Sequence, residues 1–291
     1  MANLKEVRDR IGSVNSTKQI TSAMKMVSAA KLKKAQDAII QMRPYAKKMQ
    51  EMLVNVSAGL DVSENAYAQK RPANKVLYVV VTSNKGLCGA FNSNLNKLVR
   101  NSLSERADVE AHVFSIGKKG FEFFGKMEKL SSSDRLPVNA NELIDRPIYE
   151  NIAETAELLM SLFIDGEYDE VYLAYNAFLN AATQRPEIES FLPIESPADE
   201  SSEASEYLFE PDKDSILKEL IPKSLKTQLY KAILDSNAAE HGARMTAMHQ
   251  ATENAGELLK ELKLSYNKAR QAAITTEILE ITSGAEALAA G

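Results

Sequence analysis

The amino-terminal segment, residues 4–56, reads LKEVRDRIGSVNSTKQITSAMKMVSAAKLKKAQDAIIQMRPYAKKMQEMLVNV. Its apolar side chains recur at alternating spacings of three and four residues, which is the pattern of a helix that packs against a second helix in a coiled coil. The seam positions counted from the first leucine are Leu4, Val7, Ile11, Val14, Lys18, Thr21, Lys25, Ser28, Leu32, Ala35, Ile39, Met42, Ala46, Met49, Leu53 and Val56. Because Gly12 and Pro44 are the only glycine and proline of the segment, we predict one long helix over residues 1–57.

Four consecutive seam positions, from Lys18 to Ser28, are polar. The apolar residues of this interval are Ile20, Met24 and Val27, so we expect the seam to shift there, as it does at a stutter in a coiled-coil repeat. The helix would then carry a polar collar, and Pro44 would kink it or break its hydrogen-bond ladder locally.

The carboxyl-terminal segment, residues 209–291, repeats the helical pattern. Its stripe is Met245, Met248, Thr252, Ala255, Leu259, Leu262, Tyr266, Ala269 and Ala273, and it then changes phase to Ile274, Ile278, Ile281, Ala285 and Leu288. If the two helices leave the middle of the chain at one level and run antiparallel, residue i of the first faces about residue 269 − i of the second, and Met24 faces Met245. The first helix then runs out near residue 268. Roughly the last 20 residues would project alone, with an apolar stripe that another protein must cover.

Between the two helical segments the pattern changes to strands separated by helices. The runs 75–82, 109–117 and 169–178 are short and apolar, and helical patterns follow over 92–103 and 147–164. Such alternation predicts an open, mostly parallel, Rossmann-like α/β sheet. The predicted fold class is therefore α/β, with a long antiparallel coiled coil of the N- and C-terminal helices. The central domain would cover 74–195, an acidic linker 196–208 and the second coiled-coil helix 209–291.

Charge is distributed unevenly along the 291 residues. Residues 1–50 contain eleven Lys or Arg against three acids, whereas residues 187–214 contain ten acids against one Lys. A basic arm on an acidic chain fits nucleic acid, an anionic membrane or an acidic protein partner, or simply two solvated faces. The strong periodicity of the basic arm argues against the last of these.

A single cysteine, Cys88, excludes a disulfide within the chain and a cysteine-cluster metal site. No apolar run approaches the roughly 20 residues that span a bilayer. The first residues, MANLKEVRDRI, lack the apolar core of a signal peptide, and their mixed charge argues against a transit peptide. We therefore expect a protein of the reducing cytoplasm.

The turn TSNKGLCGAFNSN, residues 82–94, joins the first strand to a helix, where nucleotide-binding α/β proteins place a phosphate loop. It matches neither GxGxxG nor GxxxxGK[ST], so we interpret it as a tight turn in which Gly86 and Gly89 supply an unusual φ or a close approach. The histidines His112, His241 and His249 lack the spacing of a metal site. We expect no catalytic residue, no metal and no cofactor.

Both helical ends resemble the gamma subunit of F-type ATP synthases. The similarity lies in MANLKEVRDRIGSVNSTKQITSAMKMVSAAKLKKAQ at the amino terminus, in ARMTAMHQATENAGELLKELKLSYNKARQAAITTEILEITSGAEAL over 243–288, and in GLCGAFN after the first strand. These motifs stand in the order and spacing of the family. The acidic stretch 195–206 and the residues Gly242, His241 and His249 depart from its pattern.

The resemblance implies that the helical pair is the central rotor shaft of a proton-translocating enzyme, with one copy per complex and no nucleotide site of its own. The shaft would stand inside a ring of three alpha and three beta subunits and couple rotation of the c-ring to conformational change at the beta-subunit catalytic sites. The α/β domain would lie beside the epsilon subunit, on the c-ring. Cys88 alone cannot form the dithiol switch of chloroplast relatives. We therefore expect a bacterial enzyme, peripheral to the cytoplasmic face of the cell inner membrane.

The resemblance also implies contact residues. Contacts with the beta subunits would involve Lys18, Met24, Lys25, Arg244, Arg270, Gln271, Thr275 and Glu277. An apolar bearing would surround Ile278, Ile281, Ala285 and Leu288, and the c-ring would touch Tyr207 and Glu210. Lys18, Lys25 and Arg244 would form the collar and point outward to acidic beta-subunit loops, through ion pairs that are weak when exposed.

Two other classes of protein are compatible with parts of the sequence. One is a self-associating coiled-coil scaffold that carries a nucleotide-binding α/β domain, against which the interrupted seam argues. The other is an enzyme built on the α/β domain, against which the missing phosphate loop argues. The mass and hydrodynamic radius of the purified chain would distinguish them. We expect no nucleic-acid partner.

Overall fold

The structure, a computed structural model, describes residues 4–57, 65–131, 133–138, 140–194 and 213–289. Its helices are α1 (Leu4–Ser57), α2 (Phe91–Glu105), α3 (Lys118–Gly125), α4 (Asn141–Asp145), α5 (Tyr149–Ile164) and α6 (Lys213–Ala289). Its strands are β1 (Lys75–Val81), β2 (Glu110–Ile116), β3 (Glu170–Phe178) and β4 (Gln184–Leu192). The predicted acidic linker lies outside the described residues.

The four strands form one open sheet in the order β2-β1-β3-β4. Strand β1 pairs in parallel with β2 and with β3, whereas β4 pairs antiparallel with β3. The predicted class, α/β with a mostly parallel open sheet and long terminal helices, is therefore confirmed.

Strand β1 lies at the centre of the sheet and separates two hydrophobic cores. Residues 76–81 are at most 1% exposed. Because successive side chains of a strand point to opposite faces, one set enters the core with α2 and α3 and the other enters the core with α5 and α6. The first set is Val76, Tyr78 and Val80, and the second is Leu77, Val79 and Val81. Burial on both faces explains why this run is continuously apolar.

Strand β4 and helix α4 have no counterpart in the sequence-based prediction. The sequence of β4, QRPEIESFL, is largely polar, and only its last residues, Phe191 and Leu192, are fully buried. An edge strand has a neighbour on one side only and needs no continuous apolar run. Its pairing with β3 makes the sheet mixed rather than purely parallel.

The chain divides into two compact units, and both long helices contribute to each. The sheet unit is Ser28–Arg244, and the helical unit consists of Met1–Val27 and Met245–Gly291. Helix α1 continues through Pro44 and α6 through Pro222, and both prolines belong to the sheet unit.

In the helical unit, α1 and α6 run antiparallel and meet along one seam. Thr252 Oγ1 donates to Thr21 Oγ1 at 2.8 Å, and Lys25 Nζ lies 3.2 Å from Nδ1 of His249. The numbers of facing residues therefore add up to 273 or 274. The predicted sum of 269, which placed Met24 opposite Met245, is wrong by about one helical turn. That estimate assumed that both helices leave the central domain at the same height. An error in this assumption shifts every pair of facing residues by the same number of positions.

The predicted shift of the α1 seam is also wrong. Ile20 and Val27 are 60% and 58% exposed. Thr21 is buried at the unshifted position, with Lys18 and Lys25 half-buried beside it. The seam tolerates Thr21 because its hydroxyl donates a hydrogen bond to the Lys18 carbonyl at 3.1 Å. It tolerates the two lysines because the apolar stem of a lysine can lie along apolar surface while its amino group reaches water.

Candidate functional site

The carboxyl-terminal part of α6 is the most exposed region of the helical unit. Leu262, Tyr266 and Ala269 are the last half-buried residues of the seam. From Arg270 to Glu286, and again at Leu288, every described side chain is exposed. This exposure agrees with the predicted overhang.

The overhang presents a set of large apolar side chains to solvent. They are Ile274, Ile278, Leu279, Ile281 and Leu288, which are 48%, 55%, 60%, 66% and 87% exposed. The predicted bearing residues Ile278, Ile281, Ala285 and Leu288 are all exposed. Leu279 was not predicted, because it lies outside the stripe and only its apolar character marks it.

The polar residues predicted on the overhang are exposed as well. They are Arg270, Gln271, Thr275 and Glu277. Thr275 Oγ1 donates to the Gln271 carbonyl at 2.9 Å, so its hydroxyl proton is already used within the helix. Toward a partner this hydroxyl therefore acts chiefly as an acceptor.

A second exposed apolar face lies on α1. Ile20, Met24 and Val27 are spaced at i, i+4 and i+7, which places them on one side of the helix. Met24 is half-buried and the other two are exposed. The residues that the sequence suggested as a shifted seam thus form an outward face. Met24 was predicted as a contact residue, whereas Ile20 and Val27 were not.

The two lysines of the predicted collar lie beside this face. Lys18 and Lys25 are half-buried, and Lys25 Nζ lies 3.2 Å from His249 Nδ1. The Nζ of Lys18 would lie 3.6 Å from a Cβ placed on Gly256. Both amino groups are therefore positioned by α6 at the rim of the seam.

Arg244 is buried in the sheet unit, so the prediction of an outward-pointing cation is wrong. Its Nη1 donates to Oε1 of Glu240 at 2.5 Å, and its Nη2 donates to the Lys85 carbonyl at 2.9 Å. The side chains of Arg244 and Glu240 are only 8% and 9% exposed. Burial raises the pKa of the Glu240 carboxyl, and the Arg244 guanidinium partly opposes this effect. Arg244 therefore ties α6 to the loop after β1.

His241 is a buried neighbour of this ion pair. Its Nδ1 has no hydrogen-bond partner among the described residues. Burial lowers the pKa of His241 to about 4, and the cations Arg244 and Lys31 add to the effect. The imidazole is therefore neutral at physiological pH.

The loop after β1 is held by its own side chains. Ser83 N donates to Asn92 Oδ1 at 3.0 Å, and Asn92 Nδ2 donates to Ser83 Oγ at 2.7 Å and to Cys88 Sγ at 3.2 Å. Cys88 is buried, and its burial raises the pKa of the thiol. These contacts make the loop a rigid connection between β1 and α2.

One of the two glycines predicted for this loop has the expected role. Gly89 has a φ of 59°, which confirms its predicted role in the turn. Gly86 does not have a positive φ, and a Cβ placed on it would meet nothing within 4 Å, so its prediction is wrong. The second left-handed residue is instead Leu87, with a φ of 62°. What Gly86 provides is its carbonyl, 3.3 Å from Arg244 Nη2.

The two residues predicted to touch the c-ring, Tyr207 and Glu210, lie outside the described residues. Within the ranges that the structure describes, no helix combines the length and the apolar character needed to cross a membrane. The same ranges contain no group of three or more His, Cys, Asp or Glu side chains that could hold a metal ion.

The chain is similar to known proteins along its whole length. The family model described as ATP synthase matches residues 3–288. The ATP synthase gamma chain of Flavobacterium johnsoniae is 57% identical over 290 residues, and that of Flavobacterium psychrophilum is 56% identical over 290 residues, with 99% of each chain covered.

Solved structures resemble the fold. A chain of the Euglena gracilis mitochondrial ATP synthase matches with a TM-score of 0.68 at 21% identity, over 99% of this chain and 95% of that chain. A chain from the central stalk and c-ring structure of the Tetrahymena thermophila mitochondrial ATP synthase matches with a TM-score of 0.57 at 26% identity, over 80% of this chain and 99% of that chain. Sequence similarity over the full length and agreement in fold together identify the family. The chain belongs to the ATP synthase gamma chains.

Proposed function

We propose that this chain is the central rotor shaft of a proton-translocating F-type ATP synthase. It couples rotation of the c-ring to conformational change at the beta-subunit catalytic sites, and it has no catalytic site of its own. Its partners are three alpha and three beta subunits, the epsilon subunit and the c-ring. The complex holds it at the cytoplasmic face of a bacterial inner membrane.

The observation that carries this proposal is the exposed apolar surface of the overhang. Large side chains that are half or more exposed on one helix cost free energy in water, so such a surface is typical of a contact with another protein. Ile278, Ile281 and Leu288 fit an apolar bearing in which a helix can turn, because apolar contacts do not hold it in one rotational position as hydrogen bonds or ion pairs would. Arg270, Gln271 and Glu277 fit contacts with the beta subunits.

The lower contact surface combines the α1 face with the two lysines. Ile20, Met24 and Val27 would touch the beta subunits in succession, and Lys18 and Lys25 would attract their acidic loops. Exposed ion pairs contribute only about 0–1 kcal/mol each, which suits contacts that form and break on every turn. Arg244 has no part in this surface, because it is buried.

We propose the remaining assignments by analogy with the family. The shaft consists of the helices over 1–57 and 209–291, and the domain over 74–195 forms the foot beside the epsilon subunit. The acidic stretch 196–208 connects the foot to the second helix. Tyr207 and Glu210 stay predicted contacts with the c-ring.

The proposal is tested by removing the apolar overhang. The Ile274→Gln, Ile278→Gln, Ile281→Gln and Leu288→Gln variant keeps good helix formers and should melt like the wild type. After reconstitution with alpha and beta subunits and the membrane sector, we expect ATP-driven proton pumping to fall well below the wild-type rate. Wild-type pumping would contradict the bearing.

The lower surface is tested with Lys25→Glu, and the matched control is Lys260→Glu on an exposed position of α6. We expect Lys25→Glu to reduce proton pumping more than ATP hydrolysis and the control to change neither. Equal coupling in the two variants would show that Lys25 is only a solvated cation.

The isolated chain should bind ATP no more tightly than millimolar, which calorimetry at micromolar protein would check.

A further inference from the structure

A groove of about 480 Å³ lies in the sheet unit between α2 and α3, and it shares no lining residue with the surfaces used above. Lys97 and Arg100 line it from α2, Lys119 lines it from α3, and Lys126 follows the end of α3. The ring of Phe123 and the carboxamide of Asn96 complete the lining on which the argument rests. The proposed function assigns no role to the residues of this groove.

The groove has an excess of positive charge. Lys119 donates to Glu122 at 2.7 Å, so the one carboxylate of the lining is already paired. Contact with Lys119 lowers the pKa of Glu122 and keeps this carboxylate charged. Lys97, Arg100 and Lys126 have no carboxylate within ion-pairing distance in the described part of the chain. Lys126 acts on Glu122 only beyond ion-pairing distance, so all three cations can still pair with an anion.

Asn96 is a second, independent indication of a ligand. The residue is only 5% exposed, and its Oδ1 has no hydrogen-bond partner among the described residues. A buried acceptor without a partner costs about 1–3 kcal/mol. A carboxamide offers one acceptor and two donors, and a half-turn about its last torsion exchanges them. It is therefore complementary to a peptide group, which also carries one donor and one acceptor.

The amino end of α3 offers no site for a phosphate group. Phosphate sites at helix ends depend on free backbone N–H groups. The first three N–H groups of α3 are already used: Lys118 N donates to Asn84 Oδ1 at 3.0 Å, Lys119 N to the Ser83 carbonyl at 3.1 Å, and Gly120 N to Thr82 Oγ1 at 2.8 Å. An anion in the groove would therefore receive no backbone N–H group from the first turn of α3.

We propose that this groove binds an acidic segment of a protein partner in an extended conformation. Carboxylates of the segment pair with Lys97, Arg100 and Lys126, one of its peptide groups bonds to Asn96, and an apolar side chain packs on Phe123. Alternating residues of an extended segment point the same way about 7 Å apart, so one edge of an acidic segment can serve several cations.

The binding test uses the full chain and a fluorescein-labelled decapeptide of alternating Glu and Ala, followed by fluorescence anisotropy. The Lys97→Glu, Arg100→Glu and Lys126→Glu variant should bind at least about tenfold more weakly than the wild type. The matched control is Lys34→Glu, Lys260→Glu and Lys263→Glu, which changes net charge equally at exposed lysines that do not line the groove. An equal loss in the control would overturn the proposal, because binding would then depend only on net charge.

Asn96 provides a test in which binding and stability respond differently. Asn96→Leu removes an unpartnered acceptor, so the melting temperature should stay the same or rise. Affinity for the peptide should nevertheless fall about three- to tenfold, because a hydrogen bond is lost. Unchanged affinity would overturn the peptide assignment. Displacement of the labelled peptide by inorganic phosphate at concentrations similar to those of unlabelled peptide would also overturn it.

Discussion

In the sheet unit, residues 76–81 are at most 1% exposed, whereas the best-buried side chains of the helical unit lie along a single seam. That seam includes Val7, Thr21, Met248, Ala255 and Leu259 at 4–9% exposure, with Lys18 and Lys25 half-buried beside them. The sheet unit also buries charge, in the pair of Arg244 with Glu240. The helical unit keeps its described charged side chains exposed or half-buried.

The difference separates two ways of being stable. In a sheet that is covered on both faces, a substitution in the core lowers the free energy of unfolding strongly, because the neighbouring side chains cannot move away and water cannot enter. A two-helix seam distributes its stability over many small contacts and leaves the outer faces of both helices open to partners. Substitutions of buried residues in the sheet unit should therefore act on folding, and those on the outer faces of the helical unit should act on interactions.

The largest effect expected from this comparison is that of Arg244→Met. Removing the guanidinium leaves Glu240 buried without its partner, which should cost about 3–5 kcal/mol of unfolding free energy in chemical denaturation. Replacing both residues, as Arg244→Met with Glu240→Gln, should restore part of this loss. The matched control is Lys33→Met, which breaks an i,i+4 pair whose partners are 74% and 50% exposed and should cost at most about 0.5 kcal/mol. Similar losses in the two single variants would remove the distinction between buried and exposed pairs.

The next effect concerns the register of the helical unit. With Thr21→Cys and Thr252→Cys in a Cys88→Ser background, a disulfide should form under mild oxidation, because the two hydroxyl oxygens lie 2.8 Å apart. The link should raise the unfolding free energy by about 2–4 kcal/mol. Free-thiol titration and mobility without reductant would follow its formation. The pair Met24→Cys and Met245→Cys, about one turn out of register, should not link, and its faster oxidation would contradict the observed register.

Protonation of His241 should destabilise the sheet unit at acid pH. Because the folded-state pKa is lowered to about 4 from 6.5, stability is complete above pH 6.5 and is lost as the pH falls through 6.5 toward 4. The loss amounts to at most about 3 kcal/mol. His241→Leu should flatten this part of the profile of unfolding free energy against pH. A profile as steep as that of the wild type would show that His241 does not determine it.

The smallest effect distinguishes two glycines of α6. Gly256→Ala in the helical unit should gain about 0.5–1 kcal/mol, because alanine favours helix and the added Cβ would only reach ordinary contact with Lys18 at 3.6 Å. Gly242→Ala in the sheet unit brings a Cβ to 3.2 Å from backbone atoms of Ala181 and should lose this gain. Thermal melting of both variants decides the comparison, and an equal gain at Gly242 would show that the sheet unit is less tightly packed than its burial indicates.

Much of the fold could be predicted because its signals are periodic. The runs predicted over 75–82, 109–117 and 169–178 correspond to β1, β2 and β3, since buried parallel strands require continuous apolar residues. Strand β4 could not be predicted, because its polar sequence forms a strand only where β3 offers an edge. The exposure of Ile278, Ile281 and Leu288 could be predicted because the apolar stripe of the second helix continues beyond the end of the first helix, which pairs with it.

The candidate contact surface was predicted less completely. Lys18, Met24 and Lys25 lie near one another, but Arg244 does not join them, because Glu240 one turn away and the Lys85 carbonyl compensate its desolvation. Charge in a sequence predicts exposure only where no such partners exist, and those partners are distant in sequence or visible only in the fold. Ile20 and Val27 were assigned to the seam because helical spacing shows that apolar residues share one face of a helix. It does not show whether that face is buried or exposed.

The sequence by itself determined the two long helices, their antiparallel association, the parallel core strands and the family to which the chain belongs. Each depends on local periodicity or on motifs, and these survive without knowledge of the neighbours. Only the tertiary structure decided the register of the helices, the direction of the Ile20–Val27 face, the burial of Arg244 and the addition of β4. These features depend on contacts between residues far apart in the chain, where a displacement of one helical turn preserves the sequence pattern and changes every partner.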